Sequence, residues 1–241
     1  MSDNTDEGRG LMSEKKLKGV LFDFNGTLFF DSYLHIKAFE ICFAKRGMSV
    51  PSAEFIVTNI FGISNENIYK AFFDPNATKD ECLRFAEEKE GLYRSMCLEN
   101  PSLMKYTEGA CELMRYLKKN SVPYCLATGS GMDNISFYNE CMELEKWFDR
   151  AHIVCGDDNV KGKPDPEIYE YAASKIELMA SECIVFEDGT KGLIAANKAN
   201  AGASIAIYEE GLPSPLINGA RADAVYHDFT EWKDILHTFG L

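Results

Sequence analysis

Short apolar runs recur along the chain, at 20–22, 122–127, 153–155, 184–186, 204–207 and 224–226, and each reads as a buried strand. Helical patterns lie between them. Segment 110–120 places Leu113, Met114 and Leu117 on one face, and 165–176 does the same with Ile168, Tyr169 and Ala172. Strands alternating with helices predict an α/β fold: a Rossmann-like, doubly wound parallel sheet built by right-handed crossovers, with helices on both faces. One stretch breaks the alternation. Residues 33–101 carry amphipathic helical patterns and no convincing strand, over a length far beyond an ordinary loop. Ile36, Phe39, Ile41 and Phe43 fall on one helix ending near Gly47, and Cys82, Phe85, Ala86, Lys89 and Tyr93 on another. The predicted organisation is therefore a flexible tail or leader at 1–14, with Met12 nearer the natural start, an α/β core at 15–32 and 102–241, and a small inserted helical cap at 33–101. A lid placed just after the first strand can close over a substrate and exclude water. Its aromatic residues Tyr33, Tyr69, Phe72, Phe73 and Tyr93 read either as a specificity pocket or as the lid's own core.

Composition narrows the function classes. The 241 residues are 46% hydrophobic, enough for one sizeable core and a small second lobe. A formal net charge of -13 argues against a nucleic-acid or anionic-membrane partner, since either needs a basic surface. A small anionic substrate stays compatible if a metal and a lysine neutralise it. The eight cysteines show no C-x-x-C spacing, and Cys125, Cys155 and Cys183 sit inside apolar runs, where cysteine packs as a small core residue. This usage fits a reducing, cytoplasmic setting. No apolar stretch approaches the roughly 18 residues of a membrane span, and the polar, acidic first dozen residues do not resemble a signal peptide. Length and charge favour a monomer.

The polar residues that follow the strands carry the candidate chemistry. Asp23-Phe24-Asn25-Gly26-Thr27 follows the first run, Thr128-Gly129-Ser130 the second, Gly156-Asp157-Asp158 the third and Glu187-Asp188 the fourth. In a parallel sheet ligands bind beyond the carboxyl ends of the strands, so these clusters converge on one edge. Lys163, in Lys161-Gly162-Lys163-Pro164-Asp165-Pro166, adds a base. Taken singly, each has a blander reading: an aspartate or a Thr-Gly pair after a strand is often only a turn, and a lysine before proline only surface. Gly129-Ser130-Gly131 invites a dinucleotide reading, but the third glycine and the following acid are absent, and there is no P-loop.

Their order carries a resemblance. Asp23-Phe24-Asn25-Gly26-Thr27, Ala127-Thr128-Gly129-Ser130, Gly162-Lys163-Pro164-Asp165-Pro166 and Phe186-Glu187-Asp188-Gly189 resemble the four motifs of the haloacid dehalogenase superfamily, over nearly the whole chain after the tail. The pattern is most similar to members with a helical (C1-type) cap, among them the phosphatases and mutases near β-phosphoglucomutase. Gly192-Leu193-Ile194-Ala195-Ala196 and Ala222-Asp223-Ala224-Val225 are similar to that group too. The resemblance implies a Mg²⁺-dependent phosphatase for a small phosphorylated metabolite such as a sugar phosphate. Asp23 would attack phosphorus to form an aspartyl-phosphate. Mg²⁺ would be held by Asp23, Asp188, Glu187 and the backbone carbonyl of Asn25. Thr128, Gly129, Ser130 and Gly26 would meet the phosphoryl group, with Lys163 neutralising it and His35 at the cap entrance.

Position 25 departs from the pattern. The family's second aspartate, two residues after the nucleophile, moves the proton for the leaving oxygen and the attacking water; here it is Asn25. Loss of acid–base help lowers rates by about 10² to 10⁴. Three explanations fit the sequence: a leaving group that needs little protonation, such as an acyl phosphate; a neighbour, His35, acting instead; or an asparagine introduced to trap a complex. Deamidation of Asn25-Gly26 would be a further source of an aspartate. If the chain is a disabled variant, Asn25→Asp is the expected rescue. Two other readings stand beside hydrolysis: a mutase, which Asn65 disfavours because an arginine usually grips the second phosphate there, and a slow binding module acting as a sensor. A receiver domain, which lacks a lid, does not fit the chain order.

Overall fold

Among the described residues, six strands pair into one sheet, and every pairing in it is parallel. The computed structural model describes residues 17–241, so the tail expected at 1–14 lies outside the described residues. The strands are β1 (Gly19–Phe22), β2 (Tyr124–Ala127), β3 (Ile153–Val154), β4 (Cys183–Glu187), β5 (Ala203–Ile207) and β6 (Ala224–Tyr226). Their order is β3-β2-β1-β4-β5-β6. Chain direction across the sheet therefore reverses between β1 and β4, which pair residue for residue from Gly19–Cys183 to Phe22–Phe186. That reversal opens a crevice beyond the carboxyl ends of these two strands.

The helices are α1 (Ser32–Lys45), α2 (Ala53–Phe55, running into a π turn at Ile56–Ile60), α3 (Asn65–Phe72), α4 (Lys79–Glu99), α5 (Ala110–Lys119), α6 (Met132–Met142), α7 (Glu167–Lys175), α8 (Thr190–Lys198) and α9 (Trp232–Thr238). Strand side chains alternate between faces, so Val20 and Phe22 point one way and Leu21 the other. Phe22 stacks on Phe186 at 5.4 Å, and both meet Phe229 in a core covered by α5, α6 and α9. On the opposite face Leu21, Cys125 and Val185 pack against Ile168 and Tyr169 of α7 and the alanines of α8. Three of the expected strand boundaries shift for identifiable reasons. Strand β2 starts at Tyr124 because Pro123 has no N–H to pair, and β3 stops before Cys155, whose N–H turns to the Asp158 carboxylate at 2.8 Å. Strand β4 runs through Glu187, which pairs with Ala206 and so belongs to the sheet itself.

Between Ser32 and Glu99 the chain builds a helical layer with a core of its own, in which Ile36, Phe39, Phe43, Ile60, Ile68 and Phe85 are buried. Helices α1 and α3 both pack on α4. Tyr69, Phe72 and Phe73 belong to this small core, whereas Tyr33 is exposed on its surface. Helix α4 opens with a capping box: Thr78 Oγ1 accepts from Glu81 N–H, and the Glu81 carboxylate accepts from Thr78 N–H at 2.8 Å. Among the described residues, no helix is long and apolar enough to cross a membrane. All eight cysteines are free, and burial pushes the thiols of Cys125 and Cys183 up to about 12.

Candidate active site

Asp23 leaves β1 at the sheet reversal, 6% exposed, and its N–H donates to Phe186 O on β4 at 3.0 Å. Lys163 Nζ lies 2.5 Å from Asp23 Oδ1 and also pairs with Glu187 Oε1. Glu187 is further held by Tyr169, whose hydroxyl donates at 2.7 Å, and by Gly189 N–H at 3.0 Å. Carboxylate oxygens of Asp23, Glu187 and Asp188 all lie within 4.8 Å of one another. The geometry divides their work. Both oxygens of Glu187 are taken by protein donors, so Glu187 orients Lys163, while Asp23 and Asp188 carry the charge left over.

That excess shows in the acidities. Burial, opposed by the Lys163 ammonium and reinforced by Glu187, raises Asp23 to about 7. Burial together with the neighbouring Glu187 and Asp23 pushes Asp188 well above the usual carboxylate range. Three carboxylates gathered around one ammonium fit a hard divalent cation, whose charge would let both aspartates ionise. Close packing supports the same arrangement: a Cβ at Gly26, whose φ is +76°, would meet Asp188 Oδ2 at 2.0 Å, and one at Gly192 would meet Glu187 Oε1 at 1.8 Å. Only glycine fits at either place.

The structure brings the other expected residues to the same mouth. Thr128 is buried after β2, with its N–H bonded to Val154 O and its Oγ1 accepting from Ser130 N–H at 3.1 Å. Gly129 N–H and the Thr128 hydroxyl are thus the donors this loop offers a phosphoryl group, among the described residues. Ser130 spends its hydroxyl on Asn25 Oδ1 at 2.8 Å. His35 is committed at both ring nitrogens: Nε2 lies 3.3 Å from Asp31 Oδ2 and Nδ1 lies 2.8 Å from Lys89 Nζ, with the ring stacked on Tyr93 at 3.9 Å.

Sequence reasoning missed the partner of Asn25. Asp31, with a fully buried side chain, accepts from Asn25 Nδ2 at 2.6 Å, from Tyr93 OH at 2.5 Å and from Gly26 N–H at 3.2 Å. Tyr138 OH lies 2.8 Å from the same Asn25 nitrogen. The amide therefore donates to a buried carboxylate through Nδ2 and accepts from the Ser130 hydroxyl through Oδ1. The signal for this was an acid directly after Phe29-Phe30, at the entrance to α1. Also missed were Glu90, Asn134 and Lys191, and the loop following β5. Asn134 Nδ2 on α6 donates to Glu90 Oε2 on α4 at 2.9 Å, and Arg94 Nη1 donates to Asn134 Oδ1 at 2.8 Å. Lys191 Nζ on α8 donates to Phe61 O at 2.5 Å. These bonds tie the helical layer to the sheet domain around a cavity of about 700 Å³, lined by Asp23, Asn25, Thr128, Lys163 and Asp188 at one end. Tyr208, Glu209 and Leu212, after β5, line another side.

Comparison with known proteins agrees with this geometry. The family model described as haloacid dehalogenase-like hydrolase matches residues 20–206. A Drosophila melanogaster protein named as a probable pseudouridine-5′-phosphatase is 30% identical over 77% of this chain and 79% of its own. A phosphorylated carbohydrates phosphatase of Thermotoga maritima is 27% identical over 76% of this chain and 82% of its own. The crystal structure of an Entamoeba histolytica HAD hydrolase, family IA, variant 3, superposes with a TM-score of 0.80 at 33% identity, covering 93% of this chain and all of that one.

Two predictions follow from the buried carboxylates. Asn25→Asp alone places a second carboxylate 2.6 Å from Asp31, so it lowers stability by about 2–4 kcal/mol in urea unfolding. The exchanged pair Asn25→Asp/Asp31→Asn recovers most of that loss, and a double variant no more stable than Asn25→Asp contradicts the pairing. Glu90 gives a pH test. Burial pushes its pKa up, but the Lys89 ammonium, His35 and Asn65 outweigh burial and hold the pKa at about 2 against an ordinary 4.5. Its contribution, on the order of 3 kcal/mol, is full above about pH 4.5 and lost as pH falls towards 2. The stability gap between the parent and Glu90→Gln should shrink across that window in urea unfolding, and a gap independent of pH contradicts the assignment.

Proposed function

The chain belongs to the haloacid dehalogenase-like hydrolase family, and from that premise we propose that it is a Mg²⁺-dependent phosphatase of a small phosphorylated metabolite, of the sugar-phosphate class, acting through Asp23. The observation that carries this reading is the buried set of Asp23, Asp188, Glu187 and Lys163 at the reversal between β1 and β4, open to the cavity. The named activities of the Drosophila and Thermotoga relatives support the same class.

A carboxylate oxygen of Asp23 bonds to phosphorus as the bond from phosphorus to the leaving oxygen breaks. Water then cleaves the resulting aspartyl-phosphate, releasing inorganic phosphate and restoring Asp23. Splitting the displacement in two replaces one difficult step by two easier ones. Lys163 holds Asp23 in place and offsets the charge of the phosphoryl oxygens, while Thr128 Oγ1 and Gly129 N–H orient them. Asp23, Asp188 and the Asn25 carbonyl would hold Mg²⁺, which when bound neutralises the gathered carboxylates and phosphoryl oxygens. Helices α1 to α4 act as a cap, held over the cavity by bonds through Glu90, Arg94 and Phe61.

Asn25 cannot move a proton. Its amide donates to Asp31 and Tyr138, so it fixes the turn after β1 and leaves the leaving group without the usual acid at that position. Leaving groups that depart readily should therefore turn over fastest. Hydrolysis is preferred over mutase transfer because Asn65, where the family pattern expects an arginine, is bonded to Glu90 at 2.9 Å.

Phosphate release from acetyl phosphate and from a panel of sugar phosphates tests the reading. Turnover is expected with Mg²⁺, with acetyl phosphate giving the higher kcat, and it should fall by at least about 10³-fold in Asp23→Asn and on chelation with EDTA. Equal release by Asp23→Asn would contradict the proposal.

A further inference from the structure

The segment that follows the π turn, Phe61-Gly62-Ile63-Ser64-Asn65, lines the cavity as an unbroken run. A helical turn leaves its last carbonyls without partners of their own. Here a residue of the sheet domain supplies the donor. Lys191 Nζ on α8 donates to Phe61 O at 2.5 Å and lies 3.5 Å from Asn59 O, which also sets a cation against the negative end of the turn. The lysine stem lies against Gly62, where the chain turns with a φ of +71° and a Cβ would meet Lys191 Cβ and Cδ at 3.2 Å. A larger residue at 62 would strain the turn and press the loop off the stem.

The far end of the same segment is held as well. Asn65 Nδ2 donates to Glu90 Oε1 at 2.9 Å, and Glu90 Oε2 accepts from Asn134 Nδ2 of the sheet domain at 2.9 Å. The 61–65 run thus sits between two anchors that lead to the sheet domain, one direct and one through Glu90. The direct anchor belongs to the catalytic turn: Lys191 follows Asp188 by three residues, and its neighbour Gly192 makes room for Glu187. Burial pulls the pKa of Lys191 below the ordinary 10.5. With carbonyls as its partners among the described residues, the ammonium places the loop without neutralising an acid.

Resting on the phosphatase reading above, we infer that Lys191 is a positioning residue for substrate selection: by holding the 61–65 segment against the turn that carries Asp188, it sets which non-phosphate halves fit the cavity. Lys191 acts through the loop and not on the reacting atoms. Its loss therefore moves the fit of a sugar phosphate more than that of a substrate with a small leaving group.

Two variants separate the bond from the bulk. Lys191→Met keeps the stem and removes the donor, and Lys191→Arg keeps a charged donor. Hydrogen exchange of the full-length, substrate-free protein, read by mass spectrometry, tests the anchor: peptides covering 56–65 should exchange at least about threefold faster in Lys191→Met, peptides covering α9 should not change, and Lys191→Arg should recover most of the difference. Kinetics with Mg²⁺ tests selection. The ratio of kcat/KM for the best sugar phosphate of the panel to that for acetyl phosphate should fall at least about tenfold in Lys191→Met, chiefly through a raised KM. If Lys191→Met fails to fold, Gly62→Ala, which presses the loop off the stem, should show the same two changes. Unchanged exchange at 56–65 overturns the inference whatever the enzyme hydrolyses. Faster exchange with an unchanged ratio also overturns it, leaving Lys191 a structural clasp. A parent that hydrolyses acetyl phosphate and no sugar phosphate overturns the selection role but not the phosphatase chemistry, and a parent that hydrolyses neither overturns the phosphatase reading itself.

Discussion

Three carboxylates share one ammonium where β1 and β4 end, and the rest of the molecule is arranged around that imbalance. Burying the group makes every charge in it count more, since the surroundings screen poorly. Lys163 cannot satisfy Asp23, Glu187 and Asp188 at once, and the raised pKa values of the two aspartates express the shortfall. On the proposed reading, a divalent cation and an incoming phosphoryl group would complete such a set. The sheet order is what makes the gathering possible, because its reversal between β1 and β4 delivers both acids to one crevice. The glycines at 26 and 192 then leave room for carboxylates where any side chain would collide.

A second buried carboxylate, Asp31, explains how the site accommodates an amide at position 25. The hydrogen bond of 2.6 Å between them puts the negative charge on the far side of the pair from where the family pattern has it. From Asp31 a continuous chain of polar contacts runs through His35 and Lys89 to Glu90 and on to Asn134. The turn that carries Asn25 is thus connected to the cavity wall that carries Glu90.

Much of this was legible in the sequence. Buried parallel strands appear as short apolar runs because both faces are covered, and all six runs pair in the sheet, but the run at 224–226 is not buried as expected: β6 lies at the sheet edge and leaves Val225 49% exposed. The acids and the threonine at the strand ends were legible through their order along the chain. The partners of these residues were not. Asp31 reaches Asn25 only because the Gly26 turn doubles back, with Gly26 N–H on Phe29 O at 2.7 Å, and that folding has no periodicity to read. Lys89 fell on an apolar helix face, where its burial was visible but its stack of partners, His35, Glu90 and the Phe39 ring, comes from separate segments. Glu187 was legible as an acid beside the expected metal group, but its partners Lys163, Tyr169 and Gly189 come from distant or turning backbone.

The central claim is that Asp23 carries the phosphoryl group in passing. The most direct measurement is acid quenching of the full-length protein during turnover of acetyl phosphate with Mg²⁺, followed by peptide mapping by mass spectrometry. The account predicts one added phosphoryl group on the peptide containing Asp23, lost on return to neutral pH with release of phosphate and never seen in Asp23→Asn. Phosphate release with no modified peptide, or with the phosphoryl group on another residue, would contradict it.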